Sequence, residues 1–97
     1  MREAVKTYKT AQEFGRALGL SELEIFLIRE KKTIIEKLRK ARLKSKLSQA
    51  ALASRVGSLQ PAIARMESGQ VSEVSLDFLC KVALVLGVAV VIKARVA

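Results

Sequence analysis

Residues 47–69, LSQAALASRVGSLQPAIARMESG, constrain the fold of this chain more than any other stretch. The spacing predicts a short helix over 48–56, with Ser48 as its N-cap. Leu52 and Val56 lie four apart on its apolar side, Leu47 leads in, and small Ala53 permits close approach of a neighbour. Gly57 supplies the left-handed backbone that ends this helix and redirects the chain. A second helix is predicted over 60–67. Pro61 sits in its first turn, where a missing N–H leaves no bond unmade. Ile63 and Met66 form its inward stripe, and Ser68-Gly69 ends it.

The charge balance narrows the class of partner. The chain has 97 residues, with 18 Lys and Arg against 9 acids, a net charge of +9. That size is one small domain with a thin core, to which a second copy would add burial. That charge points to a polyanion, with nucleic acid ahead of anionic lipid. An apolar fraction of 51% is too high for a disordered chain, and 4% aromatics argue against a stacking platform for single strands. Cys80 is the only cysteine and sits in an apolar helical pattern, so it reads as a core residue. One thiol cannot close an internal disulfide, which fits a reducing cytoplasm. With no His and one Cys, neither a zinc site nor any cofactor is expected. No apolar run reaches membrane-spanning length: the longest, 82–86 and then 88–92, is broken by Gly87 and closed by Lys93. MREAVKTYK lacks the apolar centre of a secretion signal. There is no Gly-rich phosphate loop and no arranged nucleophile and base, so no enzymatic role is expected.

Along the chain, residues 1–9 read as an irregular arm or short strand. Thr10 and Glu13 form a capping-box pattern ahead of a helix over about 11–18 that buries Phe14 and Leu18 and ends at Gly19. Ser21 caps the next start, with Glu22 and Glu24 suited to a helix N-terminus. From 21 to 46 there is neither Pro nor Gly, and one long helix is the preferred reading. The alternative is a break near 31–33, with Thr33 and Glu36 opening a separate helix over 34–45. The segment KLRKARLKSK carries Lys37, Arg39, Lys40, Arg42, Lys44 and Lys46 directly before the two-helix motif. As a cluster it reads as phosphate attraction; for any single residue a solvated helix face is an equal alternative. Ser75 caps a helix over 76–86 that Gly87 ends. The final VAVVIKARVA reads as a strand with Val90, Ile92, Ala94 and Val96 on one face. Such a strand needs a partner, either residues 1–9 or a second copy of the chain.

Two short helices around a Gly turn, the second with a polar outer face, are the layout of a helix-turn-helix, which presents its second helix to the DNA major groove. The letters Leu47, Ser48, Gln49, Leu52, Ala53, Gly57, Gln60, Ile63, Arg65, Glu67 and Gly69, with Ser75, Leu76, Leu79, Ala83, Leu86 and Gly87, resemble the Cro/CI-type (XRE) helix-turn-helix family over about 34–92. The resemblance implies an all-α, lambda-repressor-like five-helix DNA-binding domain at 34–87. To it the sequence adds an N-terminal arm and helical extension at 1–33 and a short C-terminal β-strand at 88–97, the expected dimer contact. By the same resemblance Gln60 reads a base, Gln49 binds phosphate, and Arg65 faces the groove or the backbone.

Chemistry agrees for Gln60, whose paired donor and acceptor match adenine N6 and N7. Ala62 and Ala64 offer at most contact with a thymine methyl, and Pro61 cannot donate. Ser58, like Ser48 and Ser68, is either a phosphate donor or a turn residue. Arg39, Arg42 and Lys46 complete the candidate DNA contacts. Glu67 is expected to form an internal pair or cap, since phosphate would repel it. The family usually carries Ser or Thr where this chain has Leu59, which leaves the cap of the second helix open. One such helix reads few base pairs, so a homodimer on a double-stranded operator is expected. The extension and the run 67–76 resemble HigA-type antitoxins, which bind a RelE-like, RNA-cleaving toxin and repress their own operon. Phe14, Phe26 and Ile28 are the candidate toxin anchors, and Val90 and Ile92 the candidate dimer anchors. The alternative is a stand-alone or phage-derived repressor without a toxin.

Overall fold

A computed structural model describes residues 21–91 together with Glu13, Ala17 and Gly19. Four α-helices and one 3-10 turn are present among them: α1 Glu22–Lys44, α2 Gln49–Val56, α3 Gln60–Glu67, the turn Val71–Glu73, and α4 Leu76–Leu86. The resemblance implies five helices. Glu13 and Ala17 are helical, but most of the helix expected over 11–18 lies outside the described residues.

α1 is one unbroken helix of 23 residues. Ser21 and Glu24 close a reciprocal capping box at its start, Ser21 N–H donating to Glu24 Oε1 at 3.0 Å and Glu24 N–H to Ser21 Oγ at 3.1 Å. Thr33 opens no second helix. Its hydroxyl donates back to the Arg29 carbonyl at 3.2 Å, a bond a threonine makes within a continuing helix. The boundary expected between 33 and 34 therefore falls inside α1. The helix stops at Ser45, and Lys46 takes a left-handed backbone at φ 57°, which turns the chain into α2.

The core lies where α1 and α4 flank the α2–α3 pair. Leu38, Leu52, Ile63, Met66, Leu79 and Val82 are fully buried there, with Ile34, Ile35 and Val56 around them. α2 packs chiefly on α3, and α1 on α4. Between α2 and α3 Gly57 stands at φ 78°, its N–H bonded to the Ser54 carbonyl, and the next N–H, of Ser58, to the Ala53 carbonyl at 2.8 Å. A residue with a Cβ is strained in that region, so glycine is what makes so tight a turn inexpensive. Ser75 caps α4 through the Phe78 N–H at 3.0 Å.

The C-terminal strand is not seen in residues 88–91, the part of it that is described. Val88 and Val90 lie partly buried against the chain's own core, so Val90 is at least in part an internal packing residue. A strand exists only through ladder bonds to a neighbour, and none is made by residues 88–91 among the described residues. Ile92 and Phe14 lie outside the described residues. Cys80, expected in the core from its apolar pattern, is exposed on α4.

Candidate nucleic-acid interface

The surface of interest is built on the N-terminal ends of α2 and α3. Ser48 caps α2 through the Ala51 N–H at 3.0 Å and so sets the direction of the first turn, from which Gln49 projects. α3 begins after Leu59 without any side-chain cap. The proline at its second position and a bond from Ala62 N–H to the Leu59 carbonyl, at 2.9 Å, satisfy the start instead. Gln60 and Pro61 are exposed there; Ser58, Ala62 and Ala64 are half-buried; Arg65 is exposed a turn further along.

A chain of hydrogen bonds ties this surface to the interior. Arg42 Nε donates to Glu67 Oε2 at 2.7 Å, and Nη2 to Glu67 Oε1 at 2.9 Å, a bidentate pair. Arg42 Nη1 donates to the Leu47 carbonyl at 2.7 Å, fixing the loop before α2. Gln49 Nε2 donates to Glu67 Oε1 at 3.0 Å, and Gln60 Nε2 donates to Gln49 Oε1 at 2.8 Å. Four side chains from α1, α2 and α3 thus fix one another. Gln60 keeps its amide oxygen and a second N–H for an outside partner, the pair of groups that complements adenine.

The Arg42 and Glu67 side chains are only 10% and 5% exposed. Burial pushes the Glu67 carboxyl up, but hydrogen bonds from Arg42 and Gln49, with the charges of Arg42 and Arg39, outweigh it and hold the pKa below the ordinary 4.5. The hydrogen bonds to Glu67 push the Arg42 guanidinium up against its own desolvation.

Arg42 is therefore a correction to the expected contacts. It is buried and neutralised by Glu67, so it is no free phosphate ligand. A signal for this was present: 35, 38 and 42 fall on one helical face, with Ile35 and Leu38. Glu67 forms the internal pair expected of it. The other cations of the cluster stay outside: Lys37, Arg39, Lys40, Lys44 and Lys46 are exposed, as are Arg55 on α2 and Arg65 on α3. Lys40 also meets Glu36 at 3.7 Å, a surface pair one helical turn apart. Ser68 is a turn residue, its hydroxyl donating to the Arg65 carbonyl at 2.8 Å. Phe26 and Ile28, on the first half of α1, are half-buried, while Leu23 beside them is 65% exposed. Leu59, which has no capping group where the family usually carries Ser or Thr, is among the most exposed of the large apolar residues.

No cluster of metal-ligating side chains occurs among the described residues, and none of their helices is long and apolar enough to cross a membrane. A family model described as helix-turn-helix matches residues 38–92, from the middle of α1 through the end of α4 and just beyond. No curated protein matches the chain, and no solved structure does.

Proposed function

The chain belongs to the helix-turn-helix family, of Cro/CI type, and is a DNA-binding transcription regulator; from that premise we propose that it is a sequence-specific repressor, the antitoxin of a type II toxin–antitoxin pair. Two copies grip one operator, each laying α3 in the major groove with Gln60 on a base edge and Gln49 and the exposed cations on the backbone. The observation that carries the DNA-reading part is the bond between Gln49 and Gln60. It presets the glutamine amide before DNA arrives, so less side-chain freedom is lost on binding. The role is one of binding, not catalysis, and its place is the cytoplasm.

The antitoxin part is supported by α1. Its first half extends upstream of the matched region and carries exposed Leu23 with half-buried Phe26 and Ile28. A RelE-like toxin is the proposed occupant of that end.

A fluorescent duplex spanning the promoter of the chain's own gene tests the first part. Wild type should bind it far more tightly than a scrambled duplex, and Gln60→Ala should erase most of the difference. Equal affinity for both duplexes in wild type refutes sequence-specific repression. Co-expression with the product of the adjoining reading frame tests the second part. A stable complex lost on Leu23→Asp supports the antitoxin; a toxin-sized neighbour that never co-purifies leaves the stand-alone repressor as the reading.

A further inference from the structure

Leu59 stands immediately before α3 and is 75% exposed. The helix start asks nothing of that side chain. The residue makes no side-chain cap bond; Pro61 has no N–H to be capped; and the Ala62 N–H is already bonded to the Leu59 carbonyl. The core asks nothing of it either, since Ile63 and Met66 fill the inward side of α3. A large apolar side chain that neither caps nor packs is held at the leading edge of the helix, next to Gln60, whose amide is already set by Gln49. Arg65, further along α3, and Lys46, in the loop before α2, are both exposed.

N-terminal residues of a recognition helix are the ones that meet base edges. The apolar group that base pairs present in the major groove is the C5 methyl of thymine. We propose that Leu59 is a specificity-determining contact, packing on a thymine methyl in the base pair adjoining the one that Gln60 reads. Ala62, three residues on and small, leaves room for that approach. The inference rests on the DNA-binding reading above and adds to it a second, apolar letter. Gln60 selects by hydrogen bonds and Leu59 by the exclusion of water from a methyl group. The sparse polar surface of α3, with alanines at 62 and 64, then still distinguishes neighbouring base pairs.

The test uses the full chain and a library of random duplexes. The enriched sequence is remade with each thymine replaced in turn by deoxyuridine, which lacks only the methyl. Wild type should lose about fourfold in affinity at one position per half-site, the transfer value of one methyl group. That position should adjoin the base pair whose preference Gln60→Ala relaxes. Leu59→Ala and Leu59→Ser should bind the thymine and deoxyuridine duplexes equally, with melting temperatures close to wild type because the residue is on the surface. Indifference of wild type to every replacement overturns the proposal, as does an unchanged deoxyuridine penalty in both variants. A change in oligomeric state with that penalty intact also overturns it and marks Leu59 as a protein contact. A library from which no duplex is enriched refutes DNA reading itself, an outcome distinct from failure at Leu59 alone.

Discussion

Removing Glu67 should be among the most damaging single changes that leave the apolar core intact. Its carboxylate accepts two bonds from Arg42 and one from Gln49, in a place where both members of the ion pair are nearly out of water. In Glu67→Ala the guanidinium remains buried with the Leu47 carbonyl as its recorded partner. Stranding one member of a buried pair costs about 3–5 kcal/mol. A domain of this size has a total stability on the order of 5–15 kcal/mol. The loss converts to a fall in Tm of roughly 12–40 °C. Replacing both members, as Arg42→Met with Glu67→Leu, should return most of that stability, because apolar side chains of similar volume need no counter-charge. Urea denaturation of the wild type, Arg42→Met, Glu67→Leu and the double variant, read as a cycle with Glu67→Ala alongside, measures this. A Glu67→Ala variant within about 1 kcal/mol of wild type would place the pair among ordinary surface ion pairs and refute the reasoning. The pH dependence has a fixed sign. The folded pKa of Glu67 lies below the ordinary 4.5, so its contribution is complete above that value and is lost as pH falls through the folded value. Glu67→Gln should therefore flatten the acid limb of the stability curve and leave the alkaline limb unchanged.

Other substitutions probe the frame and the surface. Gly57→Ala should cost about 1–2 kcal/mol in denaturation, since a Cβ there meets nothing within 4 Å and only the left-handed backbone at φ 78° is strained. Ser75→Ala should cost about 1 kcal/mol by removing the cap on the Phe78 N–H, seen as a lower urea midpoint with an unchanged m-value. If Arg39, Lys46 and Arg65 each meet one phosphate in both copies, the logarithm of operator affinity should fall against the logarithm of salt with a slope of about −5. Arg39→Gln should make that slope shallower by about 2 while leaving sequence preference unchanged.

What was legible in the chain was local. Ser48, Gly57, Pro61, Ser75 and Gly87 each act on backbone groups within four residues, and they place α2, α3 and α4 at or within a residue of their bounds. Most inward residues of those helices followed from spacing, while Cys80 on α4, in the same apolar pattern, faces out. What was not legible depended on distant partners. Which cation of the cluster turns inward is decided by Glu67, which lies 25 residues from Arg42 in sequence. Thr33 and Glu36 spell a helix start, yet with no Gly or Pro ahead of them the helix simply continues and Thr33 bonds backward. The β-branched run after Gly87 has strand composition, but its described part, residues 88–91, is not in a strand, and Val88 and Val90 pack on their own core. The cap of α3 was ambiguous because Leu59 has no capping group; the backbone and Pro61 resolve it.

The central claim is that the outer surface of α3, with the start of α2, is what meets DNA. Amide NMR of the labelled chain, titrated with its operator duplex, measures this directly. The largest shifts should fall on residues 48–51, 58–60 and 62–65, with the Gln49 and Gln60 side-chain amides among them. Shifts concentrated instead on the outer side of α4 around Leu84, or on the first half of α1, with Gln60 unmoved, would contradict it.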